Sequence, residues 1–186
     1  MTILPIRRNN MTPTRWLTQA GRWGGIVLCL ALQTTPAPAV PIADDPNGFE
    51  GIPWGALLSN QDRFVLIEEA DHIRTYEPRE QPPRLGATPV DSMRFTTFQN
   101  RFGRVTVRYS STATHEAILA YLQSTYGPLD RTPGQIAVGP VKVYAWHGFH
   151  TDVTLRFESG LDRGVIFFEG RTLRERWSEE SPSTVF

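Results

Sequence analysis

The chain has 186 residues, equal numbers of basic and acidic side chains (19 of each), and a single cysteine. Balanced charge argues against the basic excess that nucleic-acid-binding proteins show, so no nucleic-acid partner is expected. A single cysteine excludes a disulfide-stapled scaffold, and the protein must therefore fold around a hydrophobic core.

The first 39 residues have the three parts of a secretory signal peptide. A basic segment without acidic residues leads into an apolar run at 23–32, and Ala37-Pro38-Ala39 gives the small-x-small pattern that signal peptidase cleaves. That run has about ten residues, whereas a membrane-spanning helix needs roughly 20. We expect cleavage after Ala39 and a periplasmic or secreted protein, whether translation starts at Met1 or Met11. The basic residues are Arg7, Arg8, Arg15 and Arg22.

Cleavage changes the chemistry of the remaining chain. Removing residues 1–39 takes away four arginines and no acidic residue, leaving 147 residues with 15 basic and 19 acidic side chains, a net charge of −4. Cys29 also departs, which excludes thiol catalysis and disulfides in the mature domain. Leu28, directly before Cys29, is too large for a lipid-attachment site. We predict an acidic, cysteine-free mature protein with no cofactor and no transmembrane segment.

Three regions follow the signal peptide. Residues 40–48 are polar and turn-rich and are interpreted as a flexible lead-in. Residues 49–170 are predicted to form a single α+β domain. Residues 171–186 are charged, contain a Ser-Pro pair, and are predicted to fray.

Within the domain, alternating apolar and polar residues predict β-strands. A helix is predicted at 115–126, because Ile118, Leu122 and Tyr126 share one face and Gly127-Pro128 ends the pattern. The stretches 77–90 and 129–140 are predicted loops. The expected architecture is α+β, an antiparallel sheet of about five strands with the one main helix packed on one face. The strand candidates are 64–68, 72–76, 93–98, 104–109, 142–147, 152–158 and 163–169.

Several short motifs occur in a fixed order along this domain. Phe49-x-Gly51-Ile52-Pro53-Trp54-Gly55 comes first, the hairpin at 93–109 and the helix ending at Tyr126-Gly127 follow, and Trp146-x-Gly148 leads into Val153-x-Leu155-x-Phe157. In this order the chain resembles a group of functionally uncharacterised small exported bacterial proteins that carry an F-x-G-I-x-W-G motif at the start of the mature domain. The resemblance covers most of residues 49–170. It implies a sheet-and-helix domain and supplies no catalytic residues.

The one enzyme-like cluster is His147, His150 and Asp152. Imidazole and carboxylate groups are suitable zinc ligands, and three of them with a water could form a hydrolytic centre. The two histidines flank a predicted turn, so their convergence is possible but not implied by the spacing. The other interpretation is a solvated turn with two exposed imidazoles. No Gly-x-Ser-x-Gly elbow is present, and no other catalytic residues are predicted.

Aromatic residues offer a second kind of site, a surface that binds a protein or a small ligand. Trp54 and Trp146 fit either a hydrophobic core or such a surface. Phe102 and Phe149 fall in predicted turns, where core packing explains a large apolar side chain less easily, so they are the preferred candidates. Arg104, with the neighbouring Arg101 and Arg108, could add charged contacts near Phe102, although a solvated strand face explains these arginines equally well.

The sequence therefore favours an exported, non-catalytic interaction or ligand-binding module of the bacterial cell envelope. Its partner would be an envelope protein or a small ligand. The alternative is a metal-dependent hydrolase that uses His147, His150 and Asp152.

Overall fold

The stretches of alternating apolar and polar residues form a strand-rich fold in the computed structural model. The structure describes residues 39–129 and 135–180 and, in the last helix, side chains as far as residue 175. A single turn of 3-10 helix, Leu58–Asn60, lies between the third and fourth strands. In chain order the elements are β1 (Val40–Pro41), β2 (Gly48–Phe49), β3 (Ile52–Pro53), β4 (Phe64–Ala70), β5 (Ile73–Pro78), β6 (Arg84–Leu85), β7 (Thr88–Pro89), β8 (Ser92–Phe98), β9 (Arg101–Ser110), α1 (Thr112–Tyr126), β10 (Gln135–Val138), β11 (Val141–His147), β12 (Thr151–Glu158), β13 (Arg163–Gly170) and α2 (Arg171–Glu180).

Nine of these strands form one mixed sheet. Its order is β1-β11-β12-β13-β9-β8-β5-β4, and β10 also pairs with β11. β1 runs parallel to β11, with Val40 opposite Trp146, whereas the other neighbours in the sheet are antiparallel. Two short hairpins, β2-β3 and β6-β7, lie outside it.

The prediction of about five antiparallel strands is therefore wrong. Local alternation identified most individual strands, but strand number and direction depend on long-range pairing. The two-residue β1 and the fully exposed β10 carry no periodic pattern that could reveal such pairing. The single main helix, by contrast, is present as expected.

One face of the sheet, the inner face, carries the core. Inward side chains of neighbouring strands line up in register, as in the row Leu155, Ile166, Val107 and Met93. Helix α1 packs on this face through buried residues spaced three to four apart, and its first turn is capped by Ser111, whose Oγ accepts the Thr114 N–H at 3.2 Å. The buried helical residues are His115, Ile118, Leu122 and Tyr126.

Both ends of the described domain are tied to the sheet. The segment 40–48, interpreted from sequence as a flexible lead-in, contains β1 and the buried Ile42, whose N–H donates to the His147 carbonyl at 2.8 Å. At the other end, residues 171–180 form α2, and buried Leu173 packs against Gly103. Hydrogen bonding and apolar burial thus extend past both predicted domain limits.

Within residues 39–129 and 135–180, no helix combines the length and the apolar character that crossing a membrane requires.

Candidate binding site

The turn between β11 and β12 exposes a large aromatic side chain. Phe149 is 82% exposed, and its ring meets the His150 ring edge-on with 4.7 Å between centroids. Most phenylalanines of this domain are buried, whereas Phe149 takes no part in the core. We call residues Gly148, Phe149 and His150 the aromatic turn.

Asp45 holds the aromatic turn from one side. Its Oδ2 accepts the backbone N–H groups of His150 and Thr151, the latter at 3.0 Å, and its Oδ1 accepts the Asn47 N–H at 3.1 Å. Burial favours a higher pKa for the Asp45 carboxyl, but the hydrogen bonds from Thr151, His150 and Asn47 outweigh it and hold that pKa below its ordinary value of 3.8. The carboxylate is therefore charged at neutral pH and serves as a fixed acceptor for the turn.

Arg171, at the start of α2, holds the aromatic turn from the other side. Its guanidinium donates to the Gly148 carbonyl at 3.0 Å, and its backbone N–H donates to the His150 carbonyl at 2.9 Å. Inside the turn, the Gly148 N–H donates to the Thr151 carbonyl at 2.7 Å. A side chain at position 148 would meet the Asp45 carboxylate, with its carboxyl carbon at 2.8 Å, so glycine is required there. The turn is rigid because its backbone groups form hydrogen bonds with Asp45 on one side and with Arg171 on the other.

A cavity of about 290 Å³ lies beside the aromatic turn. Trp54 forms part of its lining and is fixed there, because its Nε1 donates to Thr151 Oγ1 at 2.9 Å and its ring lies 4.8 Å from that of Phe102. Arg101, anchored by a hydrogen bond to the Gly55 carbonyl at 3.2 Å, brings a positive charge to the same cavity. Arg171 brings a second, which is partly compensated because its Nε lies 3.9 Å from Asp152 Oδ2. The further lining residues are Asn47, Gly55, His150, Gly170, Thr172 and Leu173. The cavity suits a group with negative charge.

His147 and Asp152 lie opposite each other on β11 and β12, directly beside the aromatic turn, and come together as the metal hypothesis requires, but in a different role. The His147 Nδ1 lies 2.6 Å from Asp152 Oδ1, while the Arg174 guanidinium lies 2.7 Å from Asp152 Oδ2. Asp152 is only 2% exposed, so these neighbours compensate a charge that would otherwise be costly to bury. His150 instead faces the cavity. Among the described residues, no three histidine, cysteine or acidic side chains are placed to hold a metal ion.

Phe102 and Trp146 lie in the core and cannot form a surface site. The β8-β9 turn consists of Gln99 and Asn100, both with positive φ, which suits a two-residue type I′ hairpin. β9 therefore begins three residues earlier than predicted, and Phe102 becomes an inward strand residue with 0% exposure. Trp146 is equally buried, and its Nε1 donates to the Gly127 carbonyl at 2.9 Å.

Arg104 lies away from the aromatic turn, on the outer face of the sheet. It forms an ion pair with Glu169 at 2.6 Å, and its guanidinium lies 5.9 Å from the centroid of the Phe167 ring. Of the five residues predicted for binding, the structure thus leaves Phe149 and Trp54 at one surface.

Three residues of this site carried little or no signal in the sequence. Asp45 lies in a polar stretch that predicts a turn, yet the backbone groups it holds come 105 and 106 residues later. Arg171 lies in a segment predicted to fray. Arg101 was expected to lie near the binding surface, but beside Phe102 rather than beside Phe149.

Compared with known proteins, the chain matches no family model, no curated protein and no solved structure. The resemblance to small exported proteins with the F-x-G-I-x-W-G motif therefore stays a prediction.

Proposed function

We propose that the mature domain is an exported, non-catalytic interaction module of the bacterial cell envelope, and that it binds a partner protein through the aromatic turn and the adjacent cavity. One observation carries this proposal: Phe149 is 82% exposed on a turn whose backbone is bonded on both sides. An aromatic side chain on a rigid support loses little conformational entropy on binding, which is why such residues dominate interface energetics.

The charges around Phe149 define the kind of partner. Arg101 and Arg171 face the cavity, and both keep further N–H donors beyond the carbonyl bonds that anchor them. An acidic side chain or a chain-terminal carboxylate could accept two of these donors at once. The partner we propose has an apolar pocket for the Phe149 ring and a carboxylate within reach of the cavity.

Affinity capture tests this proposal. The exported protein is immobilised and exposed to a solubilised envelope fraction, with Phe149→Ala and Arg101→Ala as test variants. Truncating a central aromatic anchor costs about 2 kcal/mol or more, which is about 30-fold in affinity. We therefore expect Phe149→Ala to lose the captured partner and Arg101→Ala to weaken capture in a salt-dependent way.

Val138→Ala is the matched control, because Val138 is 71% exposed but lies on β10, away from the aromatic turn. It should capture the partner as the unaltered protein does. Equal capture by Phe149→Ala and Val138→Ala, with unchanged melting temperatures, would contradict the proposal.

A further inference from the structure

A second cavity lies on the inner face at the β4 side of the sheet, and no residue of α1 lines it. Helix α1 packs over β9, β12 and β13 through contacts such as His115 on Phe157 and Tyr126 on Phe168. At this side of the sheet the hairpin β2-β3 packs on β8 through Phe49 and Phe95, and residues of both the hairpin and the segment 79–91 line the space. Between them they leave a cavity of about 480 Å³, which we call the proline-walled cavity. Its volume is within the range of small-molecule sites.

The floor of the proline-walled cavity is apolar and firmly packed. Its floor residues belong to the core, where the ring of Phe64 lies 4.7 Å from that of Phe95. One wall is built from prolines, whose fixed φ angles keep it stiff. The floor consists of Ile52, Phe64, Met93 and Phe95, and the wall of Pro78, Pro82 and Pro83. An apolar molecule could bind here without reordering the core.

Charged side chains surround this floor with an excess of one positive charge. Three arginines, Arg63, Arg79 and Arg84, face two glutamates, Glu50 and Glu80. Arg63 has a nearby counter-charge in Glu50. Burial raises the pKa of the Glu50 carboxyl, although the Arg63 charge and the Gly86 N–H act in the opposite direction.

Hydrogen bonds to backbone carbonyls hold the Arg79 and Arg84 side chains in place without neutralising their charges. Arg79 Nε donates to the Asp62 carbonyl at 2.5 Å, and the Arg84 guanidinium donates to the Ala87 carbonyl. A backbone carbonyl fixes a guanidinium but leaves its charge in place. Within the described residues neither forms a salt bridge, so each keeps donors for a ligand.

We propose that the proline-walled cavity binds a small monoanionic amphiphile of the fatty-acid class. The apolar floor would hold the alkyl chain, and Arg79 and Arg84 would bind the carboxylate. The excess of one positive charge favours one carboxylate over a multiply charged anion, since further negative charge would be repelled by Glu50 and Glu80. This site is separate from the aromatic turn, so a negative result for decanoate binding would not contradict the proposed function.

Calorimetric titration of the purified exported protein with decanoate, and with decan-1-ol as its uncharged counterpart, tests the proposal. We expect saturable decanoate binding that Arg79→Gln and Arg84→Gln each weaken about tenfold, because each removes a charge-assisted hydrogen bond. Decan-1-ol binding should not change in these variants. Arg94→Gln is the matched control, since Arg94 is an exposed arginine on the outer face that is paired with Glu77.

Absence of saturable decanoate binding would overturn the proposal. An equal loss of decanoate affinity in Arg94→Gln would also overturn it, because the effect would then be one of net charge alone.

The location of the ligand is checked separately by methyl NMR. Met93 is the one methionine after Met11, so methyl-labelled methionine reports on the cavity floor in the cleaved protein. Decanoate should shift this resonance in the unaltered protein and equally in Phe149→Ala. An unshifted resonance despite binding would place the ligand elsewhere and also overturn the proposal.

Discussion

Tyr109 on β9 lies directly over Gly164, its partner on β13, so that a β-carbon at position 164 would overlap the tyrosine ring. The ring is also fixed from above, because the Tyr109 hydroxyl and His115 Nδ1 on α1 are 2.7 Å apart. Since the His115 ring in turn stacks on Phe157 at 3.9 Å between centroids, the absence of a side chain at Gly164 determines how closely α1 approaches the sheet.

Gly164→Ala should destabilise the fold. The added methyl group has to displace the Tyr109 ring, and overpacking of this kind costs about 1–3 kcal/mol. We expect a lower free energy of unfolding in urea. Gly160→Ala is the matched control, because a β-carbon there meets only Pro140, at an ordinary 3.8 Å. Equal stability of the two variants would contradict the role assigned to the Tyr109 contact.

His115 should contribute a loss of stability in mild acid, against the opposite contribution of Glu50, whose pKa is raised. Burial lowers the pKa of the His115 imidazole below the ordinary 6.5, and the charge of Lys142 lowers it further, against a smaller opposing effect of Glu116. A lowered folded-state pKa means that the unfolded chain binds the proton more readily. The stabilisation is thus complete above pH 6.5 and decreases as pH falls from 6.5 towards the folded-state pKa. Urea unfolding between pH 7.5 and 5 measures this slope.

His115→Gln should flatten that slope, since glutamine does not titrate. Asp45 does not interfere, because its lowered pKa confines its contribution to pH values below about 3.8. A slope that is unchanged in His115→Gln would assign the acid sensitivity to another group.

Asp45→Ala should loosen the aromatic turn. The substitution leaves backbone N–H groups of Asn47, His150 and Thr151 without their acceptor, and we expect a loss of about 1–3 kcal/mol in the free energy of unfolding. Partner capture should also weaken, although Asp45 itself does not line the cavity. Asp44→Ala is the neighbouring control, an exposed carboxylate whose loss should leave both measurements unchanged.

Phe102 and Phe149, both predicted from the sequence to lie at the surface, should differ in how much their truncation lowers stability. Phe102→Ala empties a fully buried position and should cost about 3–5 kcal/mol in thermal or urea unfolding. Phe149→Ala removes an exposed ring and should change stability by less than about 0.5 kcal/mol. Comparable losses in both variants would mean that Phe149 packs in the core.

Local periodicity predicted much of the secondary structure. The strands at 92–98, 151–158 and 163–170 and the helix at 112–126 lie within three residues of their predicted limits. They were recognisable because each buries one regular face, so apolar residues recur at the period of the element. Pairing across the sheet has no such local signature, which is why nine strands in mixed directions were not foreseen.

The candidate site could be predicted only in part for the same reason, since some of its contacts join segments that are distant in the sequence. Phe149 was predicted correctly as a turn residue, because glycine precedes it and polar residues surround it. The sequence predicts a turn at Phe102, but the hairpin turn comprises only Gln99 and Asn100, so Phe102 lies in the strand that follows. The contact between Asp45 and residues 150–151 joins distant segments through hydrogen bonds, and neither segment alone reveals it.

The parallel pairing of β1 leaves no spacer between the predicted leader and the fold. Val40 would be the first residue of the mature chain if cleavage follows Ala39 as predicted, and it is already opposite Trp146 in the sheet. A protease that must bind several extended residues around its cut would have to reach this strand before it joins β11. Maturation and the pairing of β1 with β11 would then compete for the same few residues, and slowed cleavage should favour an uncleaved precursor in which β1 is already paired.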